Sequence, residues 1–380
     1  MLQKSIRLLW PLLLLAGTLG VLALAIGAFG QRGNPGEALQ TLWRGAFGSL
    51  NAFSATLARA TILIFYALGV VLSFRAGIFN IGAEGQSRVG AIAAAGLTAT
   101  AAGTWLGGFG LWSAPLILLC GALCGAAWSL LAGALRIWRG APEVISTLML
   151  NFIALQLALF LLSRPTLLQE AKAVIFQSDT IPDSLQLQTW GDTQFHSGVL
   201  LIVPALLLSQ LYLFNMRGGM ELRAVGLNPT GAKACGIPVN RVILRAFACS
   251  GGLAGFAGAL GVLVRSRLDK TPYPGNDYGF MAIAVALVAD LRPLWVLPAA
   301  VLFAGLDVGT GSMERNAGVS REVVYLVEGL IILAVLIRRV VADNSAKSAT
   351  PTTLAPQPAV AGGAPGVEGA EGQKGQARYD

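Results

Sequence analysis

Apolar runs of membrane-crossing length recur along almost the whole chain. The first is residues 8–30, similar runs cover 57–74, 113–135, 143–162, 197–214, 242–264 and 293–311, and a shorter one covers 323–337. About 20 apolar residues cross a bilayer as a helix. Backbone N–H and C=O groups in hydrocarbon must be satisfied within the segment, so such runs become helices rather than open strands. Two further runs, ending near Gly103 and covering 278–289, open through polar, glycine-rich entries. The prediction is an all-α polytopic membrane protein with about ten transmembrane helices and both ends on the cytoplasmic side. The 8–30 run exceeds a typical signal-peptide core and lacks a convincing cleavage site, so it is read as the first span.

Composition excludes the soluble classes. Apolar residues make up 55% of the 380 and charged residues only 12%. Soluble chains carry about 25% charged residues. The net charge of +8 is scattered between spans, which speaks for loop orientation and against nucleic acid. Arg75, Arg136, Arg139, Arg338 and Arg339 fall on inner ends, while Arg265, Arg267 and Lys270 are an outer exception. The four cysteines form no CxxC, and no His/Cys set has metal-ligand spacing. The single histidine, His196, precedes a span and reads as interfacial rather than as a catalytic base.

Residues 73–86, SFRAGIFNIGAEGQ, break the apolar pattern. One reading is a surface loop before an ordinary span. The other is a broken helix lining a substrate path, because a charge near mid-span is kept where it faces protein or water. Glu84 and Arg88 stand at i and i+4 and can neutralise each other on a helix. Gly121 and Gly125 form a GxxxG spacing, and Gly251, Gly255 and Gly258 share one flat face for another helix. Glu143 is expected to pair with Arg139 or to cap its helix. Residues 31–49 are expected outside with a short surface helix, and 163–196 as a partly ordered outer loop. Residues 215–241 are long and basic for a plain turn. The division is a permease domain over 1–341 and a disordered cytoplasmic tail over 342–380.

The two halves echo each other. GIFNIGAEG compares with GNDYGFMAI, and PEVISTLMLNFI with SREVVYLVEGLI. Opposite directions in the two halves predict an inverted repeat, and paired glycine-interrupted segments point to a transport site.

Four motifs in order, FRAGIFNIGAEGQ, RGAPEVISTLMLNFIAL, VGLNPTGAKACGIPVNR and SGGLAGFAGAL, resemble the permease subunit of bacterial ABC importers. That family serves branched-chain amino acids, simple sugars and nucleosides, and the motifs are most similar to its nucleoside and simple-sugar types. The resemblance covers roughly residues 60–339. It implies a chain of the bacterial plasma membrane that binds no cofactor itself, because the partner ATPase uses the ATP. No GxxxxGK[ST] phosphate loop is present, in keeping with that division. It further implies a cytoplasmic ATP-binding subunit, a second permease subunit, an extracytoplasmic substrate-binding protein and surrounding lipid as partners.

The substrate path is assigned to Phe79, Asn80, Glu84, Gln86 and Asn151 from the first half and Asn276, Asp277 and Tyr278 from the second. Amide side chains both donate and accept, which suits sugar hydroxyls or a base edge, and Phe79 could stack on a base. Coupling to the ATPase is assigned to Arg223, Ala224, Gly226, Asn228, Pro229, Ala232 and Gly236. Proline suits the first turn of a short helix there. Bulky residues at Gly226 or Ala232 are expected to abolish uptake while the chain still inserts. The chain departs from the family pattern at Ser87, Arg88, Met281, Ala282, Ala289 and Asp290; if those positions touch ligand, the substrate is shifted. An ion-coupled secondary transporter and a permease for branched-chain amino acids stand as the alternatives.

Overall fold

The computed structural model describes residues 35–99, 107–164, 167–170, 176–191, 193–269 and 277–317, with isolated positions at 105, 325, 329, 330 and 333. The first span, all but four positions of the tenth span, Asn276 and the tail after 341 lie outside the described residues. The described residues are helical, with isolated β-bridges and no strand among them.

Eleven α-helices follow one another among the described residues: α1 (Pro35–Phe47), α2 (Leu50–Arg75), α3 (Ala83–Ala99), α4 (Ser113–Arg139), α5 (Glu143–Leu162), α6 (Ile202–Asn215), α7 (Arg217–Leu227), α8 (Pro229–Ala234), α9 (Val239–Arg265), α10 (Tyr278–Val288) and α11 (Pro293–Ala317). Six helical stretches are long and apolar enough to cross a membrane: Leu50–Arg75, Ser113–Arg139, Glu143–Leu162, Ser197–Asn215, Val239–Arg265 and Pro293–Asn316. They coincide with predicted runs. Helix α10, eleven residues long, is shorter than a full span, as the short apolar run over 278–289 predicts.

Local chemistry sets many of the ends. Ser49 caps α2 by accepting the Ala52 N–H at 3.1 Å. Gly140 ends α4 in the left-handed region, φ 64°, where glycine has no Cβ to clash. Asn228 caps α8 by accepting the Gly231 N–H at 2.9 Å, and Pro229 occupies the first helical position. The short surface helix expected before the second span is α1. It buries Ala38, Leu42 and Ala46, one residue per turn, against α11.

The core is built from small residues. Helix α2 is central, with 83% of its apolar window buried, whereas α5 has 17% and presents its other faces outward. Helices α3, α4 and α9 meet through glycine. A Cβ on Gly90 would strike the Gly255 backbone, one on Gly125 the Gly251 backbone, and one on Gly258 the Ser87 carbonyl. Both predicted glycine faces are therefore used, and on each other. Such contacts replace the hydrophobic drive that lipid does not supply. Ser129 adds a hydrogen bond to the Phe247 carbonyl at 2.8 Å.

The two ends of the bundle differ. At one end the loop between α5 and α6 meets the end of α9 and the start of α2. Ser178 and Ile181 donate backbone N–H groups to Leu268 and Ser266, and Gln194 donates its N–H to Ser54. At the other end Gly226 of α7 packs on the turn after α2, α8 packs on α7 and α9, and Arg75 reaches the α10–α11 turn. The loop predicted over 215–241 is thus two short helices with a break at Asn228.

Candidate functional site

The polar stretch after α2 is bound into the protein. Gly77, at φ 69°, turns the chain after Arg75. Ile81 then gives its N–H to the Thr147 hydroxyl at 3.3 Å and its carbonyl to the Asn151 amide at 3.0 Å. The other end of the Asn151 amide accepts the Gly85 N–H at 2.8 Å. One side chain on α5 therefore satisfies two part-buried backbone groups at the break between α2 and α3, groups that are costly to leave unpaired away from water.

Asn80 and Gln86 form a second knot. The Asn80 amide donates to Gln86 at 3.2 Å and to the Ser250 hydroxyl at 2.9 Å. Its oxygen accepts from Gln86 and from the Gly82 N–H, both at 3.0 Å. Both residues are buried. Glu84 pairs with Arg88 at 3.4 Å, the i, i+4 pair read from the sequence, and also accepts the Gly279 N–H of α10 at 3.0 Å. Ser87 shares a hydrogen bond with the Tyr66 hydroxyl. The two departures from the family pattern after Gln86 thus have partners inside the chain.

A third cluster was not anticipated. Asp307 on α11 accepts from Arg59 on α2 at 2.5 Å and from the Tyr278 hydroxyl on α10 at 2.6 Å. The intramembrane acid was visible in the sequence, but its partners lie 248 and 29 positions away. Glu143 pairs with Arg136 at 3.1 Å rather than with Arg139. Arg136 lies one helical turn from Arg139, at the start of the last turn of α4.

The remaining path candidates separate by exposure. Phe79 is 56% exposed and tilts against Phe74 with centroids 5.1 Å apart. Asp277 is exposed and holds φ 69° just before α10, while Tyr278 is buried. The structure brings Asn80, Gln86, Glu84, Asn151 and Tyr278 into adjoining polar contacts around the starts of α3 and α10. Phe79 and Asp277 present surfaces beside them.

The coupling candidates also divide. Gly226 is seated on the turn after α2, where a Cβ would strike the Arg75 carbonyl. Ala232 is buried, Arg223 lies 5.0 Å over the Phe214 ring, and Ala224 is half-buried. Asn228, Pro229 and Gly236 face outward, and so does Leu227, which is 88% exposed.

The family described as branched-chain amino acid transport system / permease component matches residues 52–336. The chain belongs to this family. It is 32% identical over 336 residues to a guanosine ABC transporter permease of Bacillus subtilis (strain 168), covering 88% of this chain and 94% of that one. A nucleoside ABC transporter permease of Lactococcus lactis subsp. cremoris is 27% identical, covering 89% and 93%. A glucose ABC transporter permease of Haloferax volcanii is 31% identical, covering 85% of each. No solved structure matches the chain. As an ABC permease, the chain is a multi-pass membrane component of a transporter whose ATPase is a separate subunit.

Proposed function

We propose that this ABC permease forms the translocation path for a nucleoside or a simple sugar. The observation that carries the reading is near-full-length similarity to permeases named for guanosine, nucleosides and glucose. The test is uptake of labelled uridine, adenosine and ribose by native cells and by cells lacking this gene. Loss of nucleoside uptake, restored by the gene, supports the nucleoside reading. Loss of ribose uptake alone moves the substrate to sugars. Unchanged uptake of all three overturns both.

The finer architecture belongs to the same proposal. The fold has about ten spans in two inverted halves, with α3 and α10 as corresponding broken elements. The path passes Phe79 and Asp277, with Asn276 beside them. Asn80, Glu84, Gln86, Asn151 and Tyr278 hold its wall in shape. The exposed tip at Leu227, Asn228 and Pro229 meets the ATP-binding subunit, while Arg223, Ala224, Gly226, Ala232 and Gly236 shape and seat that tip. A second permease subunit completes the path, and an extracytoplasmic binding protein delivers the solute at the outer-loop end. The chain lies in the bacterial plasma membrane with both termini cytoplasmic, and no cofactor binds to it.

A further inference from the structure

Arg75, the last residue of α2, sits where four inner elements meet. Its Nε donates to the Leu291 carbonyl at 3.0 Å and its Nη2 to the Asp290 carbonyl at 3.3 Å. Those two residues form the turn between α10 and α11, at φ 52° and φ 53°. Two consecutive non-glycine residues in the left-handed region are rare and persist only where the surroundings hold them. The Arg75 fork is part of that hold. The carbonyl and following backbone of Arg75 form the surface on which Gly226 of α7 is seated. The Phe214 ring, at the end of α6, lies 5.8 Å from the Arg75 guanidinium and 5.0 Å from that of Arg223 on α7.

The far end of α10 is held just as firmly. Gly279 donates to Glu84, and Tyr278 donates to Asp307. Helix α10 is therefore an eleven-residue rod gripped at both ends, with one grip beside α7 and the other beside the polar knot.

We propose that Arg75 is the positioning residue through which displacement of α7 and α8 reaches α10. The proposal rests on the reading that α7 and α8 meet the ATPase. A displacement there carries the α2 end with it through the backbone contact at Gly226, where no side chain can absorb the movement. The Arg75 fork passes it to the strained turn, and the short rod passes it to Gly279 and Glu84. Arg75 itself touches neither nucleotide nor solute.

Two arms test this. The first needs only the full-length chain in detergent: amide hydrogen exchange of wild type, Arg75→Ala and Arg75→Lys. Arg75→Ala is expected to speed exchange about tenfold at the turn, residues 289–292, and also at the distant start of α10, with α4 and α9 unchanged. Arg75→Lys, a point charge without a fork, is expected to fall between. Acceleration confined to the turn overturns the proposal. Acceleration throughout the chain marks Arg75 as merely structural and also overturns it. The second arm uses the assembled transporter in liposomes and follows ATP hydrolysis and solute uptake together. Arg75→Ala is expected to keep hydrolysis within about twofold of wild type while uptake falls about tenfold or more, and Leu291→Gly, which relaxes the turn, is expected to show the same split. Equal uptake and hydrolysis in all three overturns the proposal. If wild type carries neither nucleoside nor sugar, the substrate reading fails, while the exchange arm still decides on Arg75.

Discussion

Glu84 of α3 accepts the backbone N–H of Gly279 of α10 at 3.0 Å, joining residues 195 positions apart. The same carboxylate pairs with Arg88 at 3.4 Å, and both side chains are buried. A carboxylate at a helix N-terminus satisfies both the orphan donors and the positive end of the helix dipole. Glu84 does so for α10 from outside that helix.

Glu84→Ala should therefore cost about 3–5 kcal/mol, because it leaves a buried guanidinium without its carboxylate. The double variant Glu84→Gln with Arg88→Met should recover most of that loss. Unfolding of the purified chain in detergent measures both. Equal losses in the single and double variants would show that the pair does not set the cost.

The Asp307 cluster makes a graded prediction. Tyr278→Phe removes one hydrogen bond to a charged acceptor, worth about 1.5–3 kcal/mol. Asp307→Leu removes the acceptor that Arg59 and Tyr278 share and should cost more, in the range of about 3–5 kcal/mol for a broken buried pair. Thermal unfolding in nanodiscs ranks the two, and the reverse order would contradict the geometry.

The glycine seam predicts a sharp contrast between neighbouring positions. Gly255 faces the backbone of α4, whereas a Cβ on Gly252 would meet its neighbours at ordinary contact distances, 3.5 and 3.7 Å. Gly255→Val should lower the yield of folded protein on size exclusion by about tenfold or more, as overpacking against backbone cannot relax. Gly252→Ala should leave it unchanged.

His196 gives the pH dependence. It is fully buried just before the span Ser197–Asn215, and burial lowers its pKa to about 4. The free imidazole titrates near 6.5. The unfolded chain therefore binds the extra proton first, and folded stability falls as pH drops from about 6.5 toward 4. His196→Gln should flatten the melting temperature across that window, and an unchanged slope would remove His196 as the cause.

The sequence by itself determined the membrane class, the main spans, the family and the glycine faces. Each of these is written in a local pattern: a run of about 20 apolar residues, four motifs in order, or a spacing of four. The Glu84–Arg88 pair was legible for the same reason, since it closes within one helix turn. Tertiary structure alone decided the rest. Thr147 and Asn151 complete the broken helix from another helix, Arg59 and Tyr278 choose Asp307, and Gly226 turns inward while Leu227 turns out. A polar side chain declares what it can donate or accept, but its partner depends on which segments pack together. Helix packing joins Arg59 to Asp307 across 248 positions, a relation that no local periodicity encodes.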